Sequence, residues 1–296
     1  MSDLPHRLAH PSRRLSLNAL MDEWFAARIA ARIPGCAALA HDCVLLRRIR
    51  GAVGAVLLEG ASPQAIAGKP CPWDPPCGLD VLFREQGRVG RQGIPKPYVL
   101  ATDRKGQDLV VTMTLFGIAA DWAATAAHAL AVALQTKVDW PGQRAGTFVP
   151  DGIVQDLTVR SVQGVRNAQP RPQAELEFLT PMNAEGDNPL ERPGTVLARL
   201  ALRIEGLARW HDVAIDEDWE RIGMAWNAAC YDVRQMQHRP VTRRSGRGQA
   251  YFTAPTVQGK LWISEFAPEL WPLLAIGAET HVGKGATEGF GRFELA

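Results

Sequence analysis

Apolar residues recur at helical spacing in some stretches of the chain and alternate with polar ones in others. Val44–Leu58 puts Val44, Leu45, Ile49, Val53, Val56 and Leu57 toward one side, with Arg47, Arg48 and Arg50 elsewhere, which predicts a helix. Trp24–Ile33 carries Arg28 and Arg32 one turn apart and reads as a short helix with a basic face. Leu109–Gly117 alternates as a strand does, and Asp121 is placed to cap an Ala-rich helix running to about Gln135. Gly152–Val162 alternates again, with Ile153, Leu157, Val159 and Val162 between polar residues. Between these elements, Gly60–Gly93 is dense in Pro and Gly and reads as a long surface insertion.

The polar stretch Gln163–Gln173, with Gly164, Pro170 and Pro172, reads as a linker, and the rhythm then restarts. Ala174–Thr180 is a predicted strand, Gly194–Ala208 and Glu217–Cys230 are predicted amphipathic helices, and Trp210, Trp219, Trp226 and Trp271 fit a core role in or beside helices. Tyr251–Ser264 reads as hairpin strands turning near Val257-Gln258-Gly259-Lys260, followed by a short helix over Phe266–Ile276 and a last strand over Phe290–Leu295. Two halves with strands flanking helices predict an α+β chain of two tandem ferredoxin-like domains of the RNA-recognition type. The first spans residues 1–165 and carries the insertion at 60–93; the second spans 166–296 and carries a basic hairpin and a glycine-rich C-terminal loop. No sequence repeat links the halves, so the duplication rests on the rhythm alone.

Composition narrows the class. The 296 residues are 46% apolar and 22% charged, as in globular domains, and no secretory leader or apolar stretch of spanning length is evident. A cytoplasmic protein with no membrane partner is the expectation. The five cysteines (Cys36, Cys43, Cys71, Cys77 and Cys230) are an odd number, and neither close pair has Cys-x2-Cys spacing. Free thiols packed in the fold are therefore expected, with a metal or redox clip as the alternative, and no cofactor.

The formal net charge of +2 conceals an asymmetry. Val233–Ser264 contains no Asp or Glu but holds Arg234, Arg239, Arg243, Arg244, Arg247 and Lys260, so it carries +6 while the rest of the chain carries −4. Much of the compensating acid lies in Glu205–Glu220. A local basic strip on a chain of ordinary charge suits recognition of one polyanion, or a plainly solvated face. Ser245, Gly246 and Gly248 among the arginines suggest a loop that a phosphate backbone could order. Arg13, Arg14, Arg28 and Arg32 form a second cluster open to the same two readings. Tyr251 and Phe252, just past the basic loop, could stack bases or pack within the hairpin.

The most distinctive segment runs from His281 to Arg292, H-V-G-K-G-A-T-E-G-F-G-R. Its glycines (Gly283, Gly285 and Gly289 among them) permit positive φ, so that several N–H groups could face one anion flanked by Lys284 and Arg292; they could equally serve close strand packing. Neither a Walker loop nor a dinucleotide fingerprint fits, because no helix follows. The segment resembles the glycine-rich loop of the CRISPR-associated RAMP proteins, in particular the endoribonucleases that process CRISPR repeat transcripts. Four further stretches resemble the same family in the same order. These are Arg50-Gly51-Ala52-Val53-Gly54, Cys71-Pro72-Trp73 through Cys77 with Leu82-Phe83, Phe178-Leu179-Thr180-Pro181-Met182 with the helix that follows, and Arg243-Arg244-Ser245-Gly246.

The resemblance implies cleavage within a repeat stem-loop by the 2′-hydroxyl, without a metal ion, leaving a 2′,3′-cyclic phosphate with the mature crRNA often retained. Family members often carry a histidine after the second glycine of the R-G-A-x-G pattern; Ala55 stands there in this chain. His41 and His281 are then the candidate general base or acid, and Arg28, Arg32, Arg243 and Arg244 the candidates to stabilise the phosphorane. Arg13, Arg14, Arg47, Arg50, Arg234, Arg239, Arg247, Tyr251, Lys260, Gly283, Lys284, Gly285, Gly289 and Arg292 are the remaining candidates for RNA contact. The absent histidine leaves open a non-catalytic RAMP-type subunit that binds crRNA beside other subunits of a CRISPR effector complex.

Overall fold

The computed structural model describes residues 4–89, 92–141, 156–165, 169–183, 186, 188–244 and 251–296. They group into two compact units that are not contiguous halves. One comprises Met1–Arg14, Trp24–Gln163 and Gly206–Ala214, the other Leu15–Glu23, Gly164–Glu205 and Ile215–Ala296.

In the first unit the order is β1 (Phe25–Ile33), α1 (Cys43–Glu59), α2 (Pro63–Ile66), α3 (Gly78–Phe83), β2 (Tyr98–Lys105), β3 (Asp108–Phe116), α4 (Ala123–Val132) and β4 (Asp156–Gln163). The sheet runs β2-β3-β1-β4, all pairs antiparallel. A β-α-β-β-α-β order with the first and third strands central is the ferredoxin-like arrangement. The second unit repeats it with β5 (Gln173–Met182), α5 (Thr195–Ala208), α6 (Trp219–Ala228), β6 (Cys230–His238), β7 (Val241–Arg244), β8 (Tyr251–Ala254), β9 (Val257–Ser264), α7 (Trp271–Thr280) and β10 (Phe293–Leu295). Its sheet is β6-β9-β5-β10, the same permutation, with the β7–β8 hairpin inserted between the second and third strands. The chain is thus a tandem of ferredoxin-like folds.

Several elements differ from the sequence reading. Trp24–Ile33 is the central strand β1 and not a helix: Ile29, Ala31 and Ile33 point into the core while Arg28, Ala30 and Arg32 take the opposite face. Spacing of four keeps two arginines on one face in either geometry, so pairing with β3 and β4 decides the matter. The insertion at 60–93 is more than a surface loop, for it contains α2, α3 and a small buried cluster of Ala65, Cys71 and Cys77. Residues 257–260 belong to β9 and make no turn; the hairpin is β7–β8, and its tip at 245–250 lies outside the described residues. Asp121 does not cap α4, because a 3-10 turn over Gly117–Trp122 runs into that helix.

Gly117–Lys137 is 21 residues long and apolar enough to cross a membrane by length and composition. Its Ala126, Ala129 and Leu130 are nonetheless core residues, and α4 packs on β1, β4 and α1. In the second unit Leu176, Phe178, Leu261 and Ile263 face α5 and α7, with Phe178 and Phe293 rings 5.6 Å apart.

Two glycines follow from close backbone approach. At Gly291 (φ +65°) a Cβ would lie 1.9 Å from the Val282 carbonyl oxygen, and at Gly283 (φ +80°) 2.3 Å from that of Asn183. Gly291→Ala should therefore cost at least ~2–4 kcal/mol in urea unfolding, through strain at a left-handed position and a backbone clash. Gly51→Ala, mid-helix with nothing within 4 Å of the added methyl, should stabilise by about 0.5–1 kcal/mol. Equal effects of the two substitutions would contradict this account of the loop.

Candidate nucleic-acid interface

The cationic surface of the first unit is built by strand register. On the face of its sheet away from the helices, Arg28 of β1 stands directly opposite Arg160 of β4, with Thr114 of β3 on its other side. Two arginines opposed across antiparallel strands repel unless an anion or another partner compensates them. Arg160 was missed in the sequence because β1 had been read as a helix; once β1 and β4 pair, Arg28 selects it. Arg32, four residues further along the same face, is engaged differently. Its guanidinium ion-pairs with Asp108, and that contact holds the Asp108 carboxyl below the usual carboxylate range. Asp108 also accepts the Gly35 N–H at 3.2 Å, so Arg32 and Asp108 together brace the start of the β1–α1 connection.

That connection carries His41. Its backbone N–H donates to Thr102 Oγ1 at 2.9 Å, and its φ of 63° is left-handed, uncommon for a non-glycine residue. Asp42 then caps α1, accepting the N–H groups of Val44 and Leu45. The half-buried imidazole is thus held at the mouth of α1 by constraints on both sides. The other cations predicted in this unit serve the fold to differing degrees. Arg50 donates to the Tyr98 hydroxyl at 3.0 Å and lies 5.1 Å over the Phe83 ring, and Arg13 donates to the His211 carbonyl at 3.3 Å. Arg14 is exposed and Arg47 half-buried.

In the second unit Arg243 and Arg244 lie on β7, in register with Phe252 and Tyr251 of β8; Arg247 falls outside the described residues. Arg239 is exposed where β6 leads toward the hairpin, and its backbone is tied to Thr256. Two other members of the acid-free stretch find carboxylates just beyond it. Arg234 chelates Asp232, lowering that carboxyl to about 2, and Lys260 Nζ sits 2.5 Å from Glu175 and 3.4 Å from Glu177. Glu175, Glu177 and Lys260 share the sheet face away from the helices, which makes that face mixed in charge.

Much of the main chain of the glycine-rich loop bonds inside the fold. The N–H groups of Val282, Lys284, Glu288, Gly289, Phe290 and Gly291 are all spent on backbone carbonyls of Gly291, Asn183, Gly285, Ala286, Gly285 and Pro181. The buried Thr180 hydroxyl donates to the Gly289 carbonyl at 2.7 Å and accepts the Arg292 N–H at 2.9 Å. Lys284 remains exposed, whereas Arg292 is mostly buried and reaches toward Glu294 at 3.8 Å.

His281, at the same loop, is enclosed. It is 3% exposed, and burial, with the charges of Arg292 and Arg203, pushes its imidazole well below the usual histidine range. That enclosure favours the neutral imidazole and keeps the ring out of solvent, whereas His41 is half-buried at the mouth of α1.

Residues 176–293 match the family model for the CRISPR-associated endoribonuclease Cas6. The match covers less than half of the chain, and over those residues the chain is similar to Cas6 proteins. The matched span holds the Phe178–Met182 strand, α5, the β7–β8 hairpin and the glycine-rich loop. Residues 47–170 match a second family model, an N-terminal domain named AF_1859_N, which covers both the Arg50–Gly54 segment and the cysteine-bearing insertion. Among solved structures, a Cas6 product complex (TTHA0078) is 16% identical with a TM-score of 0.54, over 92% of this chain and 99% of its own. A Thermus thermophilus Cas6 (TTHB231) is 15% identical with a TM-score of 0.46 over the same shares. The first of these supports the tandem fold. No curated protein matches the sequence.

The enclosed His281 has a pH signature. Its folded pKa lies below its unfolded one, so the unfolded chain binds more protons as pH drops, and the group's contribution, intact above about 6.5, is lost below it. His281→Asn should flatten the acid side of the urea-stability profile by up to ~1.4 kcal/mol per pH unit below about 6.5. An unchanged slope would mean that the ring is charged in the folded state.

Proposed function

We propose that this chain cleaves CRISPR repeat RNA, with the 2′-hydroxyl beside the scissile phosphate as nucleophile. The observation that carries the proposal is the Cas6 match over 176–293, on a domain that presents an acid-free basic hairpin. Attack by the neighbouring hydroxyl needs in-line geometry, a base, and cations for the charge that grows on the phosphorane. His41 accepts the 2′-hydroxyl proton and Arg28 is the candidate to stabilise the phosphorane, while Arg243 and Arg244 hold the phosphate backbone of the RNA. Arg160 joins the cations that hold the phosphate backbone, as do Arg239 and Lys284. The products are a 5′ fragment ending in a 2′,3′-cyclic phosphate and a 3′ fragment with a 5′-hydroxyl. RNA binding would be dominated by helix shape and phosphates, with base contacts confined to the cut.

Incubating labelled repeat stem-loop with the full chain in EDTA tests the reading. Cleavage should proceed and should be abolished by a 2′-deoxy sugar at the cut. His41→Ala should lose ~10²–10⁴ in cleavage rate with RNA affinity retained. Replacing Arg243 and Arg244 with Ala should weaken binding and reduce the salt slope by about 0.7 per lost single-strand phosphate contact. Dependence of cleavage on added divalent metal would contradict the mechanism. Ala55 favours a second reading, a crRNA-binding subunit that does not cut; tight binding of the cognate repeat with no cleavage in any buffer would select it.

A further inference from the structure

Cys71 and Cys77 are the two cysteines that meet among the described residues. The Cys77 N–H donates to Cys71 Sγ at 3.4 Å, inside a small buried cluster that also holds Ala65. Burial acts to raise the Cys71 thiol, but hydrogen bonding from Ser62, Cys77 and Trp73 holds it below its usual range, while burial pushes Cys77 up. A backbone N–H directed at a buried sulfur favours its charged form. The other thiols lack this setting: Cys36 faces the Pro34 carbonyl, Cys43 the carbonyl of His41, and Cys230 the Glu265 carboxylate, which raises it. A metal fits poorly. Asp80, a carboxylate beside the pair, accepts the Cys71 N–H at 3.1 Å and is already paired with Arg84.

We propose that Cys71 and Cys77 form a reversible redox site, in which a hydroperoxide oxidises Cys71 and Cys77 then closes a disulfide. In the first step the Cys71 sulfur attacks the peroxide O–O bond. Cys71 becomes a sulfenic acid, and the departing oxygen takes a proton to leave as water when the oxidant is hydrogen peroxide. In the second step Cys77 sulfur attacks Cys71 sulfur, its thiol proton goes to the departing hydroxyl, and a second water leaves. Two thiols are oxidised and one peroxide is reduced. Cys71 is 0% exposed and Cys77 8%, so the site favours an oxidant of about water size over a bulky disulfide. The bond would tie the segment from Cys71 to Cys77 across the foot of α3, which bears Phe83, the residue that packs on Gly54 and Arg50 of α1.

The test exposes the reduced full chain to hydrogen peroxide, then unfolds it and alkylates it with iodoacetamide. Of the five thiols, three should alkylate, and peptide mapping should find Cys71 and Cys77 joined with loss of two hydrogens. Dithiothreitol should restore all five. In Cys77→Ser, dimedone should trap a sulfenic acid on Cys71, whereas in Cys71→Ser it should not label Cys77. Five alkylated thiols after peroxide, oxidation confined to Cys230, or dimedone on Cys77 would each overturn the proposal. The linkage in the unmutated chain decides the question should either variant fail to fold.

Discussion

The second unit closes on one buried hydroxyl. Thr180, 1% exposed near the end of β5, donates to Gly289 and accepts from Arg292, while its neighbour Pro181 accepts the Gly291 N–H. These contacts bring the chain's last turn against β5 and set the register in which Phe293 pairs with Phe178. A buried hydroxyl left unsatisfied would cost about 1–3 kcal/mol, and here both its donor and acceptor roles are filled. The Phe178–Met182 segment and the glycine-rich loop, far apart in sequence, are therefore one structural device. The glycines serve it by letting main chains approach, and six of the loop's N–H groups bond inside the fold.

That arrangement explains how charge is sorted. Among the cations of the basic strip, some end as internal counter-ions: Arg234 holds Asp232, and Lys260 sits between Glu175 and Glu177. In the first unit Arg32 is likewise committed to Asp108 and Arg50 to Tyr98 and Phe83. Counting charges along a sequence overstates the surface available to a polyanion. Register shows which cations stand side by side, as it does for Arg28 and Arg160.

Much of the architecture was legible because periodicity reports burial. The helix read over Val44–Leu58 is Cys43–Glu59, and the strand read over Leu109–Gly117 is Asp108–Phe116. Failures came where two geometries share one pattern. The run F-A-A-R-I-A-A-R-I satisfies helical spacing and strand alternation alike, and only pairing with β3 and β4 resolves it. Strands β2 and β6 were not read at all: β6 is a mostly exposed edge strand with little apolar alternation. The glycine-rich loop was found by composition, but composition could not tell an anion cradle from close packing, because both need the same residue. His281 was singled out as a histidine beside glycines, and its enclosure is a tertiary property with no local signal.

The central claim is that the RNA's own 2′-hydroxyl is the nucleophile, and the chemistry of the new ends tests it most directly. Repeat RNA should be cleaved by the full chain in ¹⁸O-labelled water with EDTA present, and the 5′ fragment weighed by mass spectrometry. A terminal 2′,3′-cyclic phosphate free of ¹⁸O is the expected result, because water takes no part in the bond-breaking step. A fragment carrying ¹⁸O as first formed, or one ending in a 3′-hydroxyl beside a 5′-phosphate, would contradict the account.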